Sequence, residues 1–348
     1  MKATFHKYVL KFKNPSGTSR GILNEKETWF IIIESHGKKG IGECGILRGL
    51  SCDDRPDYES KLQWTCNNIQ LGVNELWNQL IEFPSIQFGV EMAFQSLAST
   101  SPFLLFPSDF TSYKKNIPIN GLVWMGDEQF MKQQIQEKLS QGYTCIKLKI
   151  GALNFEVELG LLKFIRTHFD AKTIEIRVDA NGAFDENLAL NKLNELSKFE
   201  LHSIEQPIKK NSVEMMSELC KITPLPIALD EELIGVFNLH DKEQLLLKIK
   251  PQFIVLKPSF VGGFKGTNEW IELARKHKIG WWITSALESN IGLNAIAQWT
   301  FLQQNSMPQG LGTGALYSNN FDCPLTIENG NLWYKETLDW EFDFNEFQ

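Results

Sequence analysis

The chain has 348 residues, which at about 150 residues per domain leaves room for two domains or one large barrel with an appendage and excludes a lone small module. Its 43% hydrophobic and 22% charged residues match an ordinary globular protein and exclude a disordered or fibrous one. Lys and Arg number 35 against 42 Asp and Glu, a net charge of −7, so no nucleic acid partner is expected.

Residues 4–12 and 28–34 read as two strands joined by a Gly/Ser/Asn-rich loop over 14–21, an antiparallel start. After Gly40-Ile41-Gly42-Glu43-Cys44 comes an irregular segment, 47–57, carrying Arg48. Helical patterning follows over 58–80 and 88–99. The six cysteines (Cys44, Cys52, Cys66, Cys145, Cys220, Cys323) are scattered without a CxxC pair, which predicts a reducing, cytoplasmic setting. Residues 1–7 lack the apolar run of a signal peptide, and no run approaches the roughly 18 apolar residues of a membrane span, so no membrane partner is expected.

From residue 116 the rhythm changes to short apolar runs alternating with amphipathic segments, the signature of βα units. Eight strands are predicted, at 117–123, 144–150, 174–178, 201–204, 226–229, 253–256, 281–284 and 308–311. Helices are predicted at 127–140, 155–168, 187–197, 213–219, 268–277 and 289–303. This is an α/β chain with a (β/α)8 TIM-type barrel over 113–318. An α+β capping domain over 1–112 is completed by 319–348, a tail that breaks the rhythm and is expected to pack on the N-terminal layer. Trp281 and Trp282 are expected in the barrel wall or its helix interface.

Five successive strands end on a charge: Lys149 (with Lys147 two residues before), Asp179, Glu205, Asp230 and Lys257. Their spacing is that of one βα unit each, so all five converge on one rim. A lone Asp or Lys after a strand is more often a cap or a solvated loop residue, but five in phase are not. Three crowded carboxylates cannot all ionise unless a cation neutralises them. All-oxygen ligation by Asp179, Glu205 and Asp230 suits a hard ion, Mg2+ with Mn2+ as the alternative, and the six histidines show no zinc-ligand spacing. Lys149, beside Lys147, Lys257 and a metal, loses basicity and becomes a candidate neutral amine. The chemistry this predicts is removal of a proton α to a carboxylate on a small-molecule substrate. Monomer and homo-oligomer are both open.

These motifs, Lys147-Leu148-Lys149, Val178-Asp179-Ala180-Asn181-Gly182, Ile204-Glu205-Gln206-Pro207, Leu229-Asp230-Glu231 and Leu256-Lys257-Pro258, resemble the enolase superfamily and its muconate-lactonizing-enzyme subgroup. The resemblance covers essentially the whole chain. It implies a modified, enolase-like barrel under a capping domain, with Asp179, Glu205 and Asp230 as metal ligands, Lys149 as acid and base, and Lys257 facing it. The stretches Ser285-Ala286-Leu287-Glu288-Ser289-Asn290-Ile291-Gly292 and Gly310-Leu311-Gly312-Thr313-Gly314 resemble the subgroup's dehydratase branch. The Asp-x-Asp that dipeptide epimerases carry near the eighth strand does not occur here.

By the same resemblance, Lys147, Arg177, Ser285, Gly312 and Thr313 are candidate substrate contacts, with Asn181 and Glu231 as supports. Arg177 reads equally as a barrel-interior ion pair, Asn181 as a turn residue, Ser285 as a helix cap and the glycines as a tight turn. The loop at 16–21 corresponds to the superfamily's mobile capping loop. A racemase of N-acylated amino acids is the alternative activity, because Lys149 and Lys257 can supply two opposed bases.

Overall fold

Alternating apolar residues build an N-terminal hairpin longer than the sequence predicts. The computed structural model of the chain describes residues 1–18 and 21–347. In it β1 (Lys2–Thr18) pairs antiparallel with β2 (Gly21–Ser35). Most of the predicted loop at 14–21 is therefore strand: pairing breaks after Lys11 and resumes with Ser16 opposite Leu23 and Thr18 opposite Gly21. The centre of that loop, Ser19 and Arg20, lies outside the described residues.

A third strand, β3 (Lys38–Gly45), pairs with β2 and escapes the sequence reading because its glycines lower strand propensity. The packing requires them: a Cβ on Gly42 would lie 1.8 Å from the Gly89 carbonyl oxygen. The strand thus lies directly on a helix backbone. The predicted helix at 58–80 is two, α1 (Tyr58–Asn67) and α2 (Gly72–Gln79), separated by a 3-10 turn at Ile69–Leu71. α3 (Pro84–Ala98) carries Gly89. Trp29, Ile31, Ile33, Leu62 and Ile86 belong to a core of this layer's own.

The barrel chain runs β4 (Ile117–Pro118), β5 (Gly121–Val123), α4 (Glu128–Ser140), β6 (Cys145–Lys149), α5 (Phe155–His168), β7 (Glu175–Asp179) and α6 (Glu186–Ser197). It continues as β8 (Ser203–Glu205), α7 (Val213–Ile222), β9 (Ile227–Leu229), α8 (Leu239–Ile249), β10 (Phe253–Leu256), α9 (Pro258–Val261), α10 (Gly263–His277), β11 (Gly280–Ile283) and α11 (Asn290–Leu302). Asp127, Asn154, Asp185, Asn238 and Ser289 cap α4, α5, α6, α8 and α11 through their side chains. The sequence reading has no counterpart of α8, whose Leu245-Leu246-Leu247 run blurs its helical period.

Seven parallel strands, β5 to β11, form one curled sheet in chain order. The predicted eighth strand is reduced to two isolated parallel bridges, Gln309 to Ile119 and Gly310 to Thr284. Pro308 has no N–H to donate, and a Cβ on Gly310 would lie 2.1 Å from Thr284 Oγ1. The seam still closes: Gln309 N donates to the Pro118 carbonyl (2.8 Å) and Gly310 N to that of Ile283 (2.8 Å). The predicted first strand also divides, since β4 turns away to pair with a C-terminal hairpin, β12 (Leu325–Glu328) and β13 (Asn331–Tyr334). The C-terminal tail thus touches both layers, because Asn319 bonds Lys11 N and Val9 O of β1 while Phe321 and Phe342 pack on Phe30. Among the described residues no helix is long and apolar enough to cross a membrane.

Cap and barrel also meet through Glu91 of α3, which accepts hydrogen bonds from Phe264 N (2.5 Å) and Lys265 N (3.2 Å) at the start of α10. Burial pushes its carboxyl from the ordinary 4.5 up to about 8. The folded state therefore keeps a proton that the unfolded chain releases, so stability falls as pH rises across that window. Glu91→Gln, uncharged throughout, removes this slope. Thermal melts from about pH 5 to about pH 9 should show the variant gaining on the wild type as pH rises, and a pH-independent difference contradicts the assignment.

Candidate active site

The pairing register of the sheet places the charged strand ends in one layer. Lys149 of β6 lies opposite Asp179 of β7, which lies opposite Glu205 of β8. Asp230 and Lys257 directly follow β9 and β10. Asp179, Glu205 and Asp230 are all buried, and each offers a carboxylate oxygen within 4.8 Å of the other two.

Lysines are interleaved with these acids. Lys147 Nζ bridges Glu205 and Asp179, the latter at 3.0 Å. Lys149 Nζ donates to Asp179 Oδ2 (2.6 Å) and Asn181 Oδ1 (2.7 Å), and Lys257 Nζ to Asp230 Oδ2 (2.5 Å). Asn181, at φ 44, turns its amide onward to Glu231 Oε1 (2.8 Å). Gln206, also left-handed at φ 38, receives Asp230 N and Glu232 N on its side-chain oxygen and so ties the β8 end to the β9 end.

Burial acts to raise the Asp179 and Glu205 carboxyls, and their neighbours then separate the two. At Asp179 the ammoniums of Lys147 and Lys149 more than reverse the effect of burial and hold the group well below the carboxylate range. Glu205 stays raised to about 8, because burial and the facing Asp179 and Asp230 outweigh Lys147. Its Oε1 is buried without a hydrogen-bond partner. Three carboxylates thus converge on one point, one of them kept protonated near neutral pH by its neighbours and carrying a buried oxygen without a partner, and this all-oxygen donor set fits a hard divalent cation.

Above the acids opens a cavity whose floor includes Lys147, Lys149, Asn181 and Lys257. Ser285, Gly312 and Thr313 stand in its wall, with the Ser285 and Thr313 hydroxyls 2.6 Å apart. The cap contributes Ile22, Leu23, Leu47, Arg48 and Leu50. Arg48 is held by Asp54 (2.6 Å) and Glu27 (2.7 Å). Asn120, Leu122 and Trp124 also line the cavity, with no charge or motif to mark them in the sequence. Leu122 lies within β5 and Asn120 and Trp124 on either side of it, at a strand end that shares the phase of the others but bears no charge.

Arg177 is placed apart from the other candidate contacts. It is fully buried one layer below the acids, opposite Lys147 and Ser203, and does not line the cavity. Its guanidinium donates to Glu175 Oε1 (2.7 Å) and the Pro308 carbonyl (2.9 Å), and stacks 4.2 Å from the Trp282 ring centroid. Side chains alternate along a strand, so Arg177 shares the inward face of Asp179 but points into the closed end of the barrel. Trp282 packs there with Ala228 and Val255 as a plug.

A curled parallel sheet with acids and lysines at its strand ends, beneath a separate antiparallel layer, defines an enolase-type barrel. Residues 130–337 match the family model described as "Enolase C-terminal domain-like". The chain is 44% identical to an o-succinylbenzoate synthase of Desulfotalea psychrophila, over 95% of this chain and 98% of that one. It superposes on the crystal structure of MenC from that organism with a TM-score of 0.85 at 41% identity, covering 96% and 99% of the two chains. Similarity to a hydrophobic dipeptide epimerase of a Flavobacteria bacterium (strain MS024-2A) is weaker, 25% identity over 86% of each chain. The chain belongs to the enolase superfamily and groups there with the o-succinylbenzoate synthases.

Proposed function

We propose that this chain is an o-succinylbenzoate synthase, a lyase that dehydrates 2-succinyl-6-hydroxy-2,4-cyclohexadiene-1-carboxylate to o-succinylbenzoate in menaquinone biosynthesis. The observation that carries the reading is its 44% identity to a synthase of that name along nearly the whole of both chains. The paired lysines above a buried acid triad supply the matching chemistry.

Asp179, Glu205 and Asp230 would hold Mg2+, or Mn2+ in its place, whose positive charge when bound draws the substrate carboxylate and favours its enediolate form. Lys149, as the free amine, takes the α-proton. As the ammonium it then gives that proton to the hydroxyl leaving from the same face, so water departs and the amine is restored. Asn181, held by Glu231, sets the direction of the Lys149 amine. Burial disfavours the Lys257 ammonium, but Asp230 and Glu231 outweigh it and raise its pKa, so Lys257 stays protonated and stabilises negative charge across the ring. Ser285, Thr313 and the backbone of Gly312 are assigned to the succinyl carboxylate, with Lys147 beneath it.

Residues 1–112 and 319–348 act as the cap and 113–318 as the catalytic barrel. All six cysteines are free thiols, as a reducing compartment leaves them, and we assign the protein to the cytoplasm. Racemisation of N-acylated amino acids is the second reading, because Lys257 reaches the same cavity as Lys149.

Metal removal tests the assignment. Chelated protein should lose o-succinylbenzoate formation and regain it on adding Mg2+, whereas full activity in chelator contradicts the acid triad's role.

A further inference from the structure

The wall of the cavity at Ser285–Leu287 is held from outside the barrel by a group that the proposed reaction does not use. Glu43 of β3 is fully buried at the start of α11. Its Oε1 accepts hydrogen bonds from Ser289 N (2.9 Å) and Thr28 Oγ1 (2.9 Å). Its Oε2 accepts them from Gly292 N (2.9 Å) and Ser289 Oγ (2.5 Å). A carboxylate of the cap thus closes the N-terminus of a barrel helix, where both hydrogen bonding and the helix dipole favour negative charge. Lys26, also buried, faces Glu43 and Glu288 without a hydrogen-bond partner and balances their charge through space.

Two residues before the Ser289 cap stands Leu287, which lines the cavity and has φ 62, a left-handed conformation that costs a bulky residue of order 1 kcal/mol. Such a conformation persists only where its surroundings hold it. Tyr317 Oη donates to the Leu287 carbonyl (2.7 Å) on one side, and Glu288 accepts Ala286 N (2.7 Å) and Ser259 Oγ (2.6 Å). On the other side the chain passes through Glu288 into Ser289, the residue that Glu43 grips twice. β3 cannot shift to accommodate a change, because Gly42 packs it against the α3 backbone.

We infer that Glu43 is a positioning residue: by capping α11 across the domain junction it holds Ser285–Leu287 in the strained conformation that shapes the substrate end of the cavity. It touches no reacting atom. A glutamine cannot replace it, because all four partners are donors and either orientation of the amide sets its NH2 group against a backbone N–H.

The inference rests on the synthase reading for its kinetic consequence but not for its structural one, and two readouts separate them. Amide hydrogen exchange over 284–289 should be faster in Glu43→Gln than in wild type, and to a lesser degree in Ser289→Ala, which loses the Ser289 Oγ bonds to Glu43 and Ile291 N but keeps both backbone bonds to Glu43. In the full-length enzyme Glu43→Gln should raise KM for the cyclohexadiene carboxylate by roughly tenfold, with a smaller change in kcat, the scale of losing charged hydrogen bonds. Glu91→Gln, at a separate cap-to-barrel contact, should leave both readouts close to wild type. Unchanged exchange over 284–289 in both variants at this junction overturns the inference, as does a Glu91→Gln effect equal to that of Glu43→Gln, which would mark general loosening of the cap. A wild-type protein that forms no o-succinylbenzoate refutes the synthase reading while the exchange result still decides the role of Glu43.

Discussion

Lys149→Ala is expected to abolish exchange of the substrate's α-proton with solvent and to lower the rate of o-succinylbenzoate formation by about 10^3-fold or more, the scale of a lost general acid-base group. The expectation follows from one amine doing two jobs. Its Nζ stands at the cavity floor and is aimed by Asp179 and Asn181, and an alanine leaves neither a base for the carbon nor an acid for the hydroxyl. Lys257→Ala should lower the rate as well, but by removing a positive charge rather than a proton carrier. Exchange measured by NMR in deuterated buffer distinguishes the two, and exchange retained in Lys149→Ala places the base elsewhere.

Asp179→Asn should weaken Mg2+ binding by roughly 100-fold, because a buried charged contact is worth about 3 kcal/mol. The same change frees Lys149 and Lys147 from an acceptor that both now share. Calorimetric Mg2+ titration reads the first effect without any need for turnover. An affinity equal to that of wild type would remove Asp179 from the ligand set and with it the charge argument for the triad.

The chemistry of this chain is legible in its sequence because it sits at strand ends, where one residue per βα unit repeats with a fixed phase. Asp179, Glu205 and Asp230 emerge from spacing alone, and the register of β6, β7 and β8 explains why. Arg177 shows the limit of that logic. Residues i and i+2 share a strand face, yet one layer down that face looks into a closed barrel end rather than the cavity. The elements that hide from pattern reading are those whose local preference yields to a neighbour: β3 with its glycines against α3, and the Pro308–Gly310 seam that closes the barrel with two bridges. Glu43 hides for a related reason, since its partners lie some 250 residues away and only the fold brings them together.

The most direct measurement is a side-by-side assay of purified, Mg2+-supplied protein on 2-succinyl-6-hydroxy-2,4-cyclohexadiene-1-carboxylate and on N-acylated amino acids. The account predicts conversion of the first substrate to o-succinylbenzoate, lost in Lys149→Ala. Racemisation of the second with no o-succinylbenzoate formed from the first would contradict it.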